Sequence, residues 1–295
     1  GEAVGFKNFT ANGGPFVGGV KSIFMIFLIA GFAFQGTELV GVAAAESEEP
    51  EKSIPKAIST IFWRILIFYL GTIVVIGAIV PLSQLGVSKS AFTLVFEKAG
   101  VAIAASLMNA VILTSILSAG NSGMYASSRM LYSMAKEGMA PKVFARTNSK
   151  GVPVNAVLLT TLIASICFLT GIFAQSTVYV WLVAASGLAG FIAWIGIALC
   201  HYRFRKAYVA QGLDMNKLKY KAKLYPIGPI LALIMCIIVI LGQGFAYIKP
   251  EGIDWMGVIA AYIGIPIFLV LYLGYKIKHK TRVIELNDID LNNED

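Results

Sequence analysis

The sequence predicts an all-α, polytopic membrane protein, and three observations carry that prediction. Apolar residues fill 57% of the 295 positions and charged residues only 14%, with a mean hydropathy of +0.76; a water-soluble core cannot absorb that much apolar surface. Asp, Glu, Lys and Arg are absent from Ser22 to Thr37, Ile65 to Ser88, Ala99 to Ser128, Gly151 to Cys200, Leu224 to Ile248 and Trp255 to Tyr275, and roughly 20 apolar residues cross a bilayer as a helix. The remaining cations collect in separate loops, as the topology rule for membrane proteins requires.

Taken in order, Ser22 to Thr37 is the first span, preceded by a segment over 1–21. Ile65 to Ser88 and Ala99 to Ser128 are the second and third. Gly151 to Cys200 is too long for one crossing, and its polar interruption Gly171 to Thr177 (GIFAQST) divides it into a fourth and a fifth. Leu224 to Ile248 and Trp255 to Tyr275 bring the expected spans to seven. The organisation is therefore a segment over 1–21, five helices within 22–200, a basic loop over 201–224, two helices within 225–277 and a tail over 278–295. The tail's end, Ile284 to Asp295 (IELNDIDLNNED), is acidic and expected to be disordered.

Loop charge sets the orientation. Arg129, Lys136, Lys142, Arg146 and Lys150 follow the third span, and Arg203, Arg205, Lys206, Lys217, Lys219, Lys221 and Lys223 follow the fifth; both groups are expected in the cytoplasm. Lys276, Lys278, Lys280 and Arg282 place the C-terminus there too. Counting back puts Glu46 to Lys56 inside and 1–21 outside. An exterior start without a signal peptide is accommodated if an odd number of spans precedes Gly1, so the sequence reads as a fragment. The net charge of +8 is then an orientation signal, and no nucleic-acid partner is expected.

The first span carries the most unusual chemistry. Gly31-Phe32-Ala33-Phe34-Gln35-Gly36-Thr37-Glu38 puts two glycines and a carboxylate near the bilayer centre. Such a helix is expected to break near 31–37, because unwound backbone at membrane depth is tolerated where it lines a cavity, and broken helices build the midplane sites of secondary transporters. An intramembrane acid marks a site by default, and desolvation would make Glu38 a reversible proton carrier. Glu46 stands eight residues on. In the third span Thr114, Ser118, Asn121 and Tyr125 recur at helical spacing, with Gly120 and Gly123 suited to close helix approach; they line a pathway or bond between helices. Cys167, Cys200 and Cys236 lack metal-ligand spacing, and no metal is expected. His201 and His279 lie at span ends beside cations, and Trp63 and Trp255 are closest to the interfacial belt.

Other classes fit less well. A retinal protein needs a lysine in the last span, and Trp255 to Tyr275 has none; a seven-helix receptor or sensor is the remaining alternative. The spans offer no clustered nucleophiles, metal ligands or His–acid pair, so an enzyme is not expected.

GFAFQGTELVGVAAAESEEPEKSIPKAI resembles the sixth helix and following loop of the amino acid-polyamine-organocation permeases. LSAGNSGMYASSRMLYSMAKEGMAPKVFARTNSKGVPVNA resembles their eighth helix and the start of the ninth. GFIAWIGIALCHYRFRKAYVAQG, YPIGPILALIMC and IDWMGVIAAYIGIPIFLVLYLGYK are similar to the lysine-transporting bacterial branch. The resemblance implies a twelve-helix transporter of two inverted five-helix repeats plus two helices, with this chain holding helices six to twelve and 22–200 the second repeat. It implies proton-driven import of lysine across a bacterial cytoplasmic membrane without a cofactor; the partners are lysine or a related amino acid, protons, lipid and helices one to five of the same permease. A permease for arginine, histidine, GABA or an aromatic amino acid is the alternative. By position, Phe32 would cover the substrate, and Ala33, Phe34, Gln35 and Gly36 would form the unwound segment. Gly120, Asn121 and Ser122 would face the substrate, and Glu38 and Glu46 would couple to protons. Ala45 departs from the glycine expected before the second acid.

Overall fold

The computed structural model describes residues 5–11, 19, 22, 26, 30–31, 33–44, 47–85, 90–171, 175–218 and 220–291. Among them, helix dominates and the strands are two-residue pieces, Ile248–Lys249 pairing antiparallel with Gly252–Ile253. The chain forms two compact units, one of residues 1–23 and 36–164, the other of residues 24–35 and 165–295.

In the first unit, α1 (Lys7–Thr10) and α2 (Leu39–Ala44) are short. Helix α3 (Pro50–Arg64) starts on a proline, whose missing N–H costs nothing in a first turn. It continues through a π-helical segment, Ile65–Leu70, into α4 (Gly71–Ile79). Val80 is extended (φ −111°, ψ 118°), since the following Pro81 disfavours helical geometry there. This corrects the expected second span at both ends: the apolar helix runs Lys52–Ile79, not Ile65 to Ser88. Absence of charge marks the hydrocarbon centre, whereas the helix itself extends into residues whose long cationic side chains reach back to water. Helix α5 (Ala91–Lys98) packs on α6 (Ala102–Lys136), and the buried Thr93 hydroxyl lies 2.7 Å from Asn109 Oδ1. Helix α6 runs beyond Ser128 and takes Arg129 and Lys136 into its last turns. Helix α7 (Val154–Ala164) packs against α6.

In the second unit, a 3₁₀ segment, Ser165–Gly171, precedes α8 (Gln175–Ala210). The basic residues Arg203, Arg205 and Lys206 are thus helical, and the connection begins after Ala210. Helix α9 (Ile227–Gly242) follows, then α10 (Trp255–Tyr262) and α11 (Gly264–His279). Read as one span from sequence, the last pair is one helical path interrupted only at Ile263, which keeps helical geometry (φ −56°, ψ −27°), because Pro266 has no N–H for the Tyr262 carbonyl. All three helices pack on α8, around a core of Leu188, Phe191, Cys236, Val239 and Ile240.

Four helices among the described residues, Lys52–Ile79, Trp181–Ala210, Ile227–Phe245 and Trp255–His279, are long and apolar enough to cross a membrane. Phe62, Ile67, Phe68, Leu231 and Leu271 lie exposed on them. Faces this apolar need lipid or another helix against them, and the protein is a multi-pass membrane protein.

The tail corrects an expectation. Residues 281–291 are irregular but anchored: Gln211 Nε2 donates to the carbonyls of Leu286 (3.0 Å) and Ile289 (2.8 Å), and Arg203 donates to Ile284. Composition foresaw the lack of regular structure but could not see that side chains at the end of α8 capture tail carbonyls.

Candidate permeation site

Ala33 is helical, residues 34–38 form turns, and helix resumes as α2. Three-residue bonds replace the helical ladder, from Phe34 N–H to Gly31 O (3.3 Å), Leu39 N–H to Gly36 O (3.2 Å) and Gly41 N–H to Glu38 O (2.9 Å). Gly36 has φ +97°, a conformation that strongly favours glycine. Its N–H donates to Glu38 Oε2 at 3.0 Å, so the half-buried carboxylate closes the turn that exposes it.

Glycines on α8 seat the other side of the break. Gln35 Nε2 donates to the buried Gly187 carbonyl at 2.7 Å. A Cβ on Gly190 would overlap the Gln35 amide, and one on Gly31 would overlap the Phe191 ring. Close approach of this kind is what small residues supply between membrane helices. Sequence reasoning missed Gly187, Gly190 and Phe191, although the Gly187-Leu-Ala-Gly190 spacing is a recognisable small-residue signal.

The expected residues divide between the units. Ala33, Phe34 and Gln35 belong to the second, and Gly36, Glu38, Gly120, Asn121 and Ser122 to the first. Phe32, Ala45 and Glu46 lie outside the described residues. On α6, Gly120, Asn121 and Ser122 are exposed. Ser122 Oγ donates to Ser118 O at 3.0 Å, a local bond that engages its hydroxyl proton. Asn121 makes no side-chain hydrogen bond among the described residues, which leaves both its donors and its acceptor for a ligand. An added Cβ on Gly120 or Gly123 meets no atom of the described residues within 4 Å.

The sequence pattern of the amino acid permease family matches residues 1–288. The chain belongs to the amino acid permease family. Lysine-specific permeases of Escherichia coli (strain K12) and Lactococcus lactis subsp. cremoris (strain MG1363) are 50% and 54% identical to it, over 98% and 97% of its length. A histidine permease of the same Lactococcus strain is 50% identical over 97%. The chain spans 60%, 58% and 61% of these three relatives, respectively. No solved structure matches it. The resemblance to this family read from GFAFQGTELVGVAAAESEEPEKSIPKAI holds.

Proposed function

We propose that this chain supplies helices six to twelve of a lysine permease that imports its substrate across a bacterial cytoplasmic membrane by proton symport and alternating access, with the C-terminus inside. The observation that carries this reading is the turn at 34–38: a positive-φ glycine, unwound backbone and a carboxylate bonded to the turn. Carbonyls of Ala33, Phe34, Gln35 and Gly36 would receive the substrate's α-amino group, with Phe32 covering it. Asn121, Gly120 and Ser122 would contribute polar contacts from α6. Glu38 would take up and release the coupled proton, and Glu46 would assist. Helices one to five of the same permease would complete the site.

Energy alone does not require the proton. One charge crossing 100 mV releases about 2.3 kcal/mol, nearly fifty-fold in concentration, and lysine is itself a cation. The case for coupling rests on Glu38. A histidine permease is favoured as a second reading by the 50% identity to such a protein.

Labelled-lysine uptake by the twelve-helix permease in vesicles, challenged with unlabelled lysine, arginine, histidine or GABA, tests both. Competition by lysine alone, with accumulation lost when the pH gradient collapses at constant voltage, supports the lysine symporter. Stronger competition by histidine transfers the assignment. Glu38→Gln with full accumulation and an unchanged pH profile would remove the coupling step.

A further inference from the structure

The second unit contains a cavity of about 740 Å³ between α8 and α9, remote in sequence from the broken helix and of the wrong charge for a cationic substrate. Its walls are apolar: Trp194, Ile197 and Ala198 from α8, Ala232 and Cys236 from α9. Its mouth lies where α8 turns basic and the loop returns, and His201, Tyr220 and Lys223 stand there. One turn beyond His201, the Arg205 guanidinium lies 4.8 Å from the centre of the Tyr225 ring. Arg205 Nε and Nη1 are buried without a hydrogen-bond partner, and no carboxylate among the described residues pairs with Arg205 or Lys223.

The positive charges of Lys223 and Arg205 together favour an anion at this end of the groove. An apolar slot within the membrane-spanning length, with Lys223 at its mouth and Arg205 one turn beyond His201, matches the chemistry of a phospholipid: an acyl chain along the helices and an anionic headgroup at the end. We propose that the α8–α9 groove binds one anionic phospholipid, with its chain against Trp194, Ala198 and Cys236 and its phosphate at Lys223, within the field of the nearby Arg205. The bound lipid fastens the basic end of α8 to the start of α9.

Trp194 supplies the probe. Within this chain, Trp63→Phe, Trp181→Phe and Trp255→Phe leave this tryptophan alone, and any tryptophan in helices one to five of the permease is likewise replaced by phenylalanine. It is reconstituted into vesicles containing either brominated phosphatidylglycerol or brominated phosphatidylcholine in an unlabelled neutral host. Selective quenching by phosphatidylglycerol is expected, and Arg205→Gln or Lys223→Gln should each weaken the preference by about fivefold, the contribution of one cation near a charged headgroup. Lys223 is exposed, so its substitution tests the charge without risk to folding. Equal quenching by both lipids overturns the proposal. So does a preference that survives both substitutions, and so does absence of quenching by either lipid, which would mean that protein fills the groove.

Discussion

Gly36→Ala isolates the backbone requirement of the broken helix. At φ +97° an L-residue sits in strained territory, and the cost is on the order of 2 kcal/mol. No described atom lies within 4 Å of the added Cβ, so the penalty comes from the backbone and not from a clash. Alanine retains the N–H that donates to Glu38, so that bond can still form. About 2 kcal/mol corresponds to roughly a 30-fold smaller population of the turn. If the turn is the form that binds substrate and is not already strongly favoured without it, apparent affinity falls by the same factor. Initial rates of labelled-lysine uptake across a concentration series, at matched membrane levels of the twelve-helix permease, should therefore show a KM raised by about 30-fold. Gly196→Ala is the control: Gly196 is exposed, helical and equally free of neighbours, so alanine there should be neutral or mildly stabilising. A Gly36→Ala protein with KM within about twofold of the parent would refute the claim that transport needs this turn.

Gly190→Ala should destabilise the protein by about 1–3 kcal/mol through overlap with Gln35, and Gln35→Ala should relieve much of that loss; strictly additive effects in detergent thermal unfolding would contradict the contact. Tyr247, in the connection between α9 and α10, has its pKa raised by burial and then by the Asp254 charge, so the folded protein favours the neutral phenol. Its contribution to stability is complete below the ordinary value of 10.0 and lost as pH rises through the raised one; ultraviolet titration should show late ionisation, shifted earlier by Asp254→Asn. Gln211→Leu removes two bonds to the tail and should speed proteolysis within residues 284–291, whereas an unchanged cleavage rate would mean the tail is held otherwise.

The helical class and the break were legible because each has a strong physical signature. Long charge-free runs leave no option but lipid, and a glycine two residues before an acid marks both the unwinding and the group that stabilises it. Helix ends were less legible. The helix over Lys52–Ile79 is bounded by Pro50 and Pro81, which steric rules do encode, yet charge counting placed its start at Ile65 because Arg64 looked like a boundary. The seat of Gln35 on Gly187 and Gly190 depends on two segments some 152 positions apart. Either segment alone reads as ordinary small-residue composition, and only packing makes it specific.

The tail and the groove share one cause for having escaped the sequence. Cations at the end of α8 read most simply as an orientation signal, and that reading is complete for topology: it needs only their number and side. It says nothing of their partners. Placed on a helix instead of a loop, Arg203 becomes a donor to a tail carbonyl, while Arg205, two residues on, turns to the Tyr225 ring and retains unmet donors. A charge count treats the two as equal. The helical rotation of about 100° per residue gives them different faces, and with them different chemistry. The broken helix offers carbonyls and a carboxylate, suited to an ammonium group; the end of α8 offers guanidinium and ammonium groups, suited to a phosphate. A cationic substrate and an anionic lipid therefore have no reason to compete, and saturating lysine should leave the quenching of Trp194 by brominated phosphatidylglycerol unchanged. A large loss of quenching on lysine addition would mean that the two sites are coupled and that the groove changes during transport.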